Sequence, residues 1–287
     1  MRHFTDVEVD GALQGAPIEE RLRTAFVALA EGRAAQQPRL RTDAGGVKLS
    51  TLGGVIPKLG VAGAKVYTTI EGRFSFAIVL FSAKTGAPLA TFEANAITQW
   101  RTAAVSLLAA RAAMSSTPRS IAIFGTGVQG RSHADAFGRA WPGAKFHAID
   151  RRAAAARIDE IVSAADIVVT ATRSPTPLFP GASVKPGAFV AAVGSSRPDT
   201  RELDDTLLGR SACVIVEWRE QTLREAGDLL LAPNELRARL RVEELGDVLA
   251  GRASARRSGQ DIVIFKSVGV GIEDVAVAGL ALERLGG

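Results

Sequence analysis

The chain has 287 residues, enough for one large domain or two modest domains with a sizeable core. Apolar residues make up 47% of the sequence and charged residues 23%, which excludes an intrinsically disordered chain. No apolar run reaches the ~18 residues that a membrane-spanning helix needs, and the first residues lack the apolar stretch of a signal peptide. The single cysteine, Cys213, cannot form an internal disulfide. These features predict a cytoplasmic protein without membrane association.

The net charge of +5 raises the question of nucleic-acid binding, and the distribution of the charges argues against it. Seven lysines and 28 arginines are scattered along the chain and interleaved with acids. A nucleic-acid-binding surface would show clustered cations or a known motif. The three histidines lack the spacing of metal ligands, so no metal is expected. His133 is interpreted as a solvated or helix-capping residue.

The first third of the chain predicts one helix followed by a sheet. Residues 17–36 carry apolar residues at spacings of three and four, which is typical of an amphipathic helix. Between residues 38 and 92, short β-type runs are separated by glycines. These runs cover residues 47–52, 64–69, 74–82 and 89–92, with a hairpin turn expected at 84–87. They predict a mostly antiparallel or mixed sheet.

From residue 97 onward the pattern changes to alternating helices and strands. A long helix is expected at 97–114, ended by the run Ser115–Pro118. The strands that follow are predicted at 121–124, 145–149, 167–172, 189–193, 214–216 and 262–265, with a helix at 128–139. The stretch between Asp150 and Asp166 leaves room for little more than one helix. This alternation predicts a doubly wound parallel sheet, and the apolar helix at 275–285 is expected to pack on the first domain.

A glycine motif lies where the first of these strands meets its helix. It consists of Gly125, Thr126, Gly127, Val128, Gln129 and Gly130, and Asp150 stands about 20 residues further on. Gly125 permits a tight turn, Gly127 allows the backbone to approach a pyrophosphate, and Gly130 allows the helix to pack closely on the strand. The start of the helix offers N–H groups to phosphates. The motif therefore predicts dinucleotide binding.

The choice of nicotinamide cofactor depends on the residues after the second strand. The Asp150 carboxylate can accept hydrogen bonds from both ribose hydroxyls and would repel a 2′-phosphate, which favours NADH. Arg151 and Arg152 follow at once, and either guanidinium can pair with that phosphate. We expect NAD(P)H, with NADH favoured over NADPH.

Seven segments resemble, in order, the ornithine cyclodeaminase/mu-crystallin family. They are 64–68, 97–104, the glycine turn with Gln129, 193–199, 202–205, 244–246 and 265–269. The resemblance runs from about residue 36 to 280. It implies a fold of the α/β class: a Rossmann-type doubly wound parallel sheet at 115–270 that binds NAD(P), plus a mixed α+β domain. This mixed domain would comprise residues 1–114 and the C-terminal helix 271–287. It would bind the substrate and form a homodimer.

The resemblance also implies roles for individual cations. Arg101 matches the arginine that binds the substrate carboxylate, and Lys65 matches an active-site lysine that neutralises this carboxylate or passes a proton to nitrogen. A further arginine is expected in an early strand. Arg39 and Arg41 both fit, since residues two apart in an extended segment lie on one face, and the choice between them stays open. Implied cofactor contacts are Thr102, Gly125, Thr126, Gly127, Val128, Gln129, Asp150, Arg151, Arg152, Thr172, Val193, Ser196 and Ser267.

Ser196 bears on the reaction. In cyclodeaminases of the family an aspartate at this place engages the distal amino group of the substrate, whereas ketimine reductases of the family carry a serine. A buried ammonium without its carboxylate is costly. We therefore predict an NAD(P)H-dependent reductase of cyclic ketimine carboxylates, with Δ1-pyrroline-2-carboxylate reduced to L-proline as the favoured example. Ornithine cyclodeaminase, a reductase like alanine dehydrogenase or iminosuccinate reductase, and a binding protein without turnover remain as alternatives.

Overall fold

A computed structural model of the protein describes residues 1–286; Gly287, the last residue of the predicted C-terminal segment, lies outside them. The chain divides into two compact units. Unit 1 comprises Met1–Ala104 and the residues from Gly269 onward, and unit 2 comprises Val105–Val268. No helix within residues 1–286 has the length and apolar character that crossing a membrane demands.

Unit 1 is built on a mixed seven-stranded sheet. Its strands are β1 (Arg2–Phe4), β2 (Ala35–Gln36), β3 (Leu40–Ala44), β4 (Val47–Ile56), β5 (Val61–Ile70), β6 (Arg73–Ser82) and β7 (Pro88–Glu93). Its helices are α1 (Asp6–Leu13), α2 (Ile18–Ala30), the first part of α3 (Asn95–Ala113) and α11 (Gly271–Arg284). The strand order is β1-β7-β6-β5-β4-β2, with β3 also paired to β4. Among the strand pairings of this sheet within residues 1–286, that of β1 with β7 is parallel and the others are antiparallel, so the expectation of a mixed sheet is confirmed.

The N-terminal part of unit 1 differs from the sequence prediction. The helix predicted over 17–36 ends at Ala30, because Gly32 follows with a φ of +70° and residues 35–36 pair with β4. The prediction also missed β1 and α1. A strand of three residues is too short to show a period, and α1 buries only Val9 and Leu13.

The C-terminal helix α11 packs against β4, β5 and α2, as its apolar sequence predicts. Its first turn lies directly on the sheet. A Cβ atom at Gly271 would stand 2.5 Å from the backbone nitrogen of Gly53, so only glycine permits this approach. This close contact therefore fixes the distance between the first turn of α11 and strand β4.

Unit 2 is a parallel seven-stranded sheet with helices between the strands. Its strands are β8 (Ser120–Phe124), β9 (Lys145–Ile149), β10 (Ile167–Thr170), β11 (Phe189–Ala192), β12 (Ser211–Val216), β13 (Val242–Glu244) and β14 (Ile262–Lys266). Its helices are the rest of α3, α4 (Val128–Ala140), α5 (Ala155–Ala164), α6 (Asp205–Arg210), α7 (Arg219–Glu225), α8 (Gly227–Leu230), α9 (Asn234–Arg237) and α10 (Leu245–Leu249). The order β13-β12-β14-β11-β10-β8-β9 confirms the predicted fold class.

The topology of this sheet reverses at β8. The chain moves from β8 to β9 on one side and then returns to form β10 on the other side. In open α/β sheets, ligands bind beyond the carboxyl ends of the strands at such a reversal. A single helix, α5, joins β9 to β10, as the short segment predicted. The carboxyl end of β8, which carries the glycine motif, is thus the expected ligand position in unit 2.

Candidate functional site

The glycine motif forms a tight turn between β8 and α4. Gly125 has a φ of +104°, which L-residues rarely adopt, and its N–H donates to the carbonyl of Ile149. A Cβ atom at Gly130 would overlap the carbonyl oxygen of Gly125, so α4 starts against the turn only because residue 130 is glycine. Apart from its two chain neighbours, no atom of residues 1–286 lies within 4 Å of the Cβ position of Gly127. The turn is therefore closely packed where Gly130 meets Gly125 and open at Gly127. The open side suits a pyrophosphate at the start of α4.

A cleft of about 790 Å³ adjoins this turn. It is lined by Phe124, Gly125, Thr126, Ile149, Asp150, Arg151, Arg152, Ile158, Thr172, Arg173, Ser174, Pro175, Pro177 and Leu178. One oxygen of Asp150 accepts the backbone N–H of Arg152 at 2.7 Å. Arg173 belongs to none of the sequence motifs described above. The cleft thus offers one carboxylate and three guanidinium groups, so its charges do not by themselves choose between NADH and NADPH.

Thr172 and the segment that includes Val193 and Ser196 follow the carboxyl ends of β10 and β11. Both are tied to Glu202, which sequence analysis named only within a family segment. The Glu202 carboxylate accepts the N–H and hydroxyl of Thr172 at 2.8 and 2.7 Å and the N–H of Gly194 at 2.8 Å. Burial raises the pKa of Glu202, and this effect outweighs the lowering of the pKa by Lys266 and by the hydrogen bonds from Thr172. Glu202 therefore fixes the two segments relative to each other.

A buried ion pair supports the same region. Lys266 Nζ lies 2.8 Å from Asp228 Oδ2 and donates to the carbonyl of Ser195 at 2.7 Å. Burial alone would raise the pKa of Asp228, but Lys266 and the N–H groups of residues 202 and 203 hold it below its usual value. Ser267, a predicted cofactor contact, is buried and donates its hydroxyl to Glu217 at 2.6 Å.

His133 corrects one sequence-based interpretation. The side chain is fully buried rather than solvated or capping. One ring nitrogen lies 2.7 Å from the carbonyl of Gln129 and the other 3.0 Å from the Ser106 hydroxyl. Burial lowers the pKa of His133 to about 4, so the ring is neutral at physiological pH. The interpretation failed because the face of α4 that carries His133 and Phe137 points into the core.

In unit 1, Lys65 is a buried cation on β5. Its Nζ donates to the hydroxyl of Thr98 at 2.5 Å, lies 3.3 Å from Asp274 Oδ1 and sits 4.3 Å from the centre of the Phe76 ring. The side chain is only 4% exposed. Burial lowers the pKa of Lys65 to about 8, the neighbouring guanidinium groups of Arg101 and Arg39 act in the same direction, and Asp274 opposes them.

Arg101, on α3, joins the same cluster. It donates to Glu273 Oε2 at 2.8 Å, and its Nε lies 3.4 Å from Asp274 Oδ1. Thr102, the next residue and a predicted cofactor contact, is buried and donates its hydroxyl to the carbonyl of Thr98 at 2.7 Å. Lys65 and Arg101 are thus brought together, as the resemblance implies.

The structure distinguishes the two early arginines. Arg39 is half-buried, donates to the carbonyl of Gly269 at 2.7 Å, and lies close enough to Lys65 to affect its charge. Arg41 is an exposed residue of β3. The two side chains differ because the strand begins only at Leu40, so Arg39 does not share the regular alternation of β3. Arg39 is the arginine that joins the cluster.

The acidic partners of these cations were not found from the sequence. Glu273 and Asp274 are both buried and both lie in the first turn of α11, where the helix dipole favours negative charge. Their only signal in the sequence is a pair of acids in an otherwise apolar helix. Lys65 and Arg101 contact these two carboxylates, and Arg39 lies close enough to affect the charge of Lys65. Buried charges of this kind persist where oppositely charged partners are held beside them.

A nucleotide-binding protein of the Rossmann type is the class that the parallel sheet and its glycine turn define. The chain belongs to the ornithine cyclodeaminase/mu-crystallin family, whose model matches residues 1–287. It is 35% identical to the ketimine reductase mu-crystallin of Mus musculus, over 80% of this chain and 79% of that protein. It is 32% identical to the Δ(1)-pyrroline-2-carboxylate reductase of Colwellia psychrerythraea, over 75% of each chain.

A solved structure is more similar still in sequence. The probable ornithine cyclodeaminase from Bordetella pertussis Tohama I is 51% identical, with a TM-score of 0.94 over 99% of this chain and 97% of that one. These similarities establish the family, while the names of its members point to two different reactions. The choice between these two reactions therefore depends on the site residues of this chain.

The glycine turn yields a matched pair of substitutions. Gly130→Ala is expected to lower the free energy of unfolding by at least about 1 kcal/mol, because the clash with the Gly125 carbonyl outweighs the gain in helix propensity. Gly127→Ala meets open space at an ordinary φ of −74° and should change stability by less than about 0.5 kcal/mol. Urea denaturation of both variants measures the difference, and equal stabilities would contradict this account of the turn.

Proposed function

We propose that this enzyme reduces the C=N bond of small cyclic 2-imino acids with NADH or NADPH, and that Δ1-pyrroline-2-carboxylate is converted to L-proline. The observation that carries the proposal is that Lys65, Arg101 and Arg39 are brought together in unit 1, since an ammonium and guanidinium groups held side by side can bind a carboxylate. The coarser class, reduction of an imine, is that of the ketimine and pyrroline-2-carboxylate reductases to which the chain is similar.

Within this proposal, unit 2 binds the cofactor and unit 1 binds the substrate. The amides of residues 125–130 would hold the pyrophosphate, and Asp150 would accept the adenosine ribose hydroxyls, with Arg151 and Arg152 beside it. When bound, the nicotinamide supplies the hydride for the imine carbon. We favour NADH because Asp150 follows β9 directly, and we keep NADPH open because of the arginines.

The residues of unit 1 orient the substrate and supply the proton. The Arg101 guanidinium matches a carboxylate in a bidentate arrangement, which fixes the adjacent imine carbon. Arg39 and Lys65 complete the neutralisation of the carboxylate. With its pKa at about 8, Lys65 is largely protonated at neutral pH and can donate a proton to the imine nitrogen as the carbon accepts two electrons. Solvent then returns the proton to Lys65.

One feature favours this substrate class over ornithine. The half-buried Ser196 has no charge to offer the distal ammonium of ornithine. Ornithine cyclodeamination remains the second candidate, which the name of the Bordetella pertussis relative favours.

A homodimer formed through unit 1 is part of the proposal. The β3–β6 sheet has an outer face that carries seven large apolar side chains, each 36–65% exposed. They are Leu40, Val47, Leu49, Val55, Val66, Ile70 and Phe81, which alternate with the inward-facing residues of their strands. Contiguous exposed apolar surface of this kind marks a protein–protein interface. A second copy of the chain is the partner that the family resemblance implies.

The proposed location is a reducing compartment, the cytoplasm. Cys213 is buried in β12, where burial raises the pKa of its thiol to about 11. The thiol is therefore protonated and unreactive at neutral pH. A chain with one inert thiol and no disulfide suits such a compartment.

Turnover on a substrate panel tests the reaction. We expect oxidation of NADH or NADPH by five- and six-membered cyclic imino acids to exceed oxidation by pyruvate with ammonia or by iminosuccinate. Arg101→Ala should lower kcat/KM about 100-fold or more, since a buried carboxylate loses its charged partner, while quenching of cofactor fluorescence persists. Arg101→Lys, which keeps the charge without the fork, controls for folding. Release of ammonia and proline from L-ornithine with NAD+ would overturn the assignment.

The early arginines provide a matched pair for substrate binding. Arg39→Ala should raise KM for the imino acid about ten-fold or more, because a charged hydrogen-bond donor near Lys65 is lost. Arg41→Ala removes the same side chain from an exposed position two residues away and should leave KM within about two-fold. Steady-state kinetics of the two variants decides, and a larger effect of Arg41→Ala would exchange their roles.

The dimer is tested by charging its proposed interface. Leu49→Glu places a carboxylate on the outer sheet face and should convert the dimer to a monomer, as light scattering measures. Val7→Glu, at an 83% exposed position of α1 away from that face, is the control and should leave the mass unchanged. A wild-type protein of one chain mass in solution would contradict the dimer.

A further inference from the structure

Asp274 occupies an unusual place in the cation cluster of unit 1. A single carboxylate oxygen, Oδ1, lies 3.3 Å from Lys65 Nζ and 3.4 Å from Arg101 Nε, so it bridges the two cations. The residue is 1% exposed. Its other oxygen, Oδ2, has no hydrogen-bond partner within residues 1–286. A carboxylate this poorly satisfied costs stability, which calls for a function that offsets the cost.

We propose that Asp274 is a positioning residue of the reductase, which holds Lys65 in its charged form at the substrate carboxylate and imine nitrogen. The inference rests on the proposed function, because it assigns Lys65 the proton that reduction requires. Asp274 itself need not touch the substrate. Its role is to keep a buried ammonium protonated at the pH at which the enzyme works.

The groups around Lys65 show why such a residue is needed. Phe76 on β6 offers a ring face, and Thr98 on α3 offers a hydroxyl oxygen, since its own proton goes to the carbonyl of Ala94 at 2.6 Å. Arg101 and Arg39 repel the ammonium. Asp274 is the acid in contact with Lys65, and it opposes burial and both guanidinium groups. Without its charge, the balance would favour a neutral lysine.

The fold delivers Asp274 to this position with little freedom. The residue lies in the first turn of α11, and Gly271 presses that turn against Gly53 of β4. Leu52, the residue before Gly53, is paired with Lys65 on β5. The carboxylate and the ammonium are therefore fixed by backbone packing of the helix on two neighbouring strands. A rigid partner of this kind supports a role in setting the charge of Lys65.

The test replaces Asp274 by an amide of the same shape. In the wild-type protein kcat/KM should fall as the pH rises through about 8, because Lys65 loses its proton. Asp274→Asn removes the charge that favours the ammonium, so the fall should move to lower pH by roughly one to three units. Ionisation of the imine itself is the same for both proteins and cancels in the comparison. A structural defect alone would lower the rate without moving the pH profile.

A second measurement does not depend on turnover. Lysine labelled with ¹³C at Cε reports each amine by NMR, and Lys65→Met identifies the signal of Lys65 among the seven lysines. We expect this signal to titrate near pH 8 in the wild-type protein and at lower pH in Asp274→Asn. If the protein reduces no imine but the NMR shift occurs, the proposed function fails while the pairing stands. If imines are reduced but the titrations coincide, the role of Asp274 is wrong.

Neighbouring substitutions make the test specific. Glu273→Gln removes the adjacent acid, which pairs with Arg101 and does not contact Lys65, so it should move the titration of Lys65 much less than Asp274→Asn does. Asp274→Glu keeps the charge and should titrate close to the wild-type protein. Asp274→Ser is the second charge-removing variant if the asparagine protein does not fold. A shift in Glu273→Gln as large as in Asp274→Asn would overturn the proposal.

Discussion

The burial of Lys65 and Arg101 against Glu273 and Asp274 is the interaction on which the proposed chemistry depends. Desolvation of a single ion inside a protein costs several kcal/mol, so buried charges persist only where their partners are held in place. Here all four groups are at least nine-tenths buried. Arg39 lies close enough to affect the charge of Lys65. In the proposed function, these cations bind the carboxylate of the substrate.

In unit 2, the buried charges serve to hold chain segments together. Lys266 and Asp228 form a closed pair, and Glu202 accepts hydrogen bonds from the backbone and hydroxyl groups around it. These contacts stabilise the segments that follow β10 and β11. The glycine turn, by contrast, presents backbone amides with open space at Gly127. The buried charges of unit 2 thus give structural support, while the backbone amides of the turn and the charged side chains of the adjoining cleft are available for a ligand.

Much of the fold follows from local patterns. The apolar runs of β8, β10, β11 and β14 are almost continuous, as expected for strands buried on both faces of a parallel sheet. Short helices such as α8 and α9, with four residues each, show no period and were not predicted. The same limitation explains why β1 and the two-residue strand β2 were missed. Periodicity needs several turns or alternations before it becomes visible.

The sequence by itself determined the dinucleotide turn at 125–130, the acid at 150 and the order of strands and helices, because these depend on neighbouring residues. Resemblance to a family added Lys65 and Arg101. Only the tertiary structure decided that Arg39 rather than Arg41 joins them, that His133 is a neutral core residue, and that Asp274 contacts Lys65 across a separation of 209 residues. Such contacts arise from the packing of α11 on β4 and β5, and no short-range pattern in the chain records where a distant helix will lie.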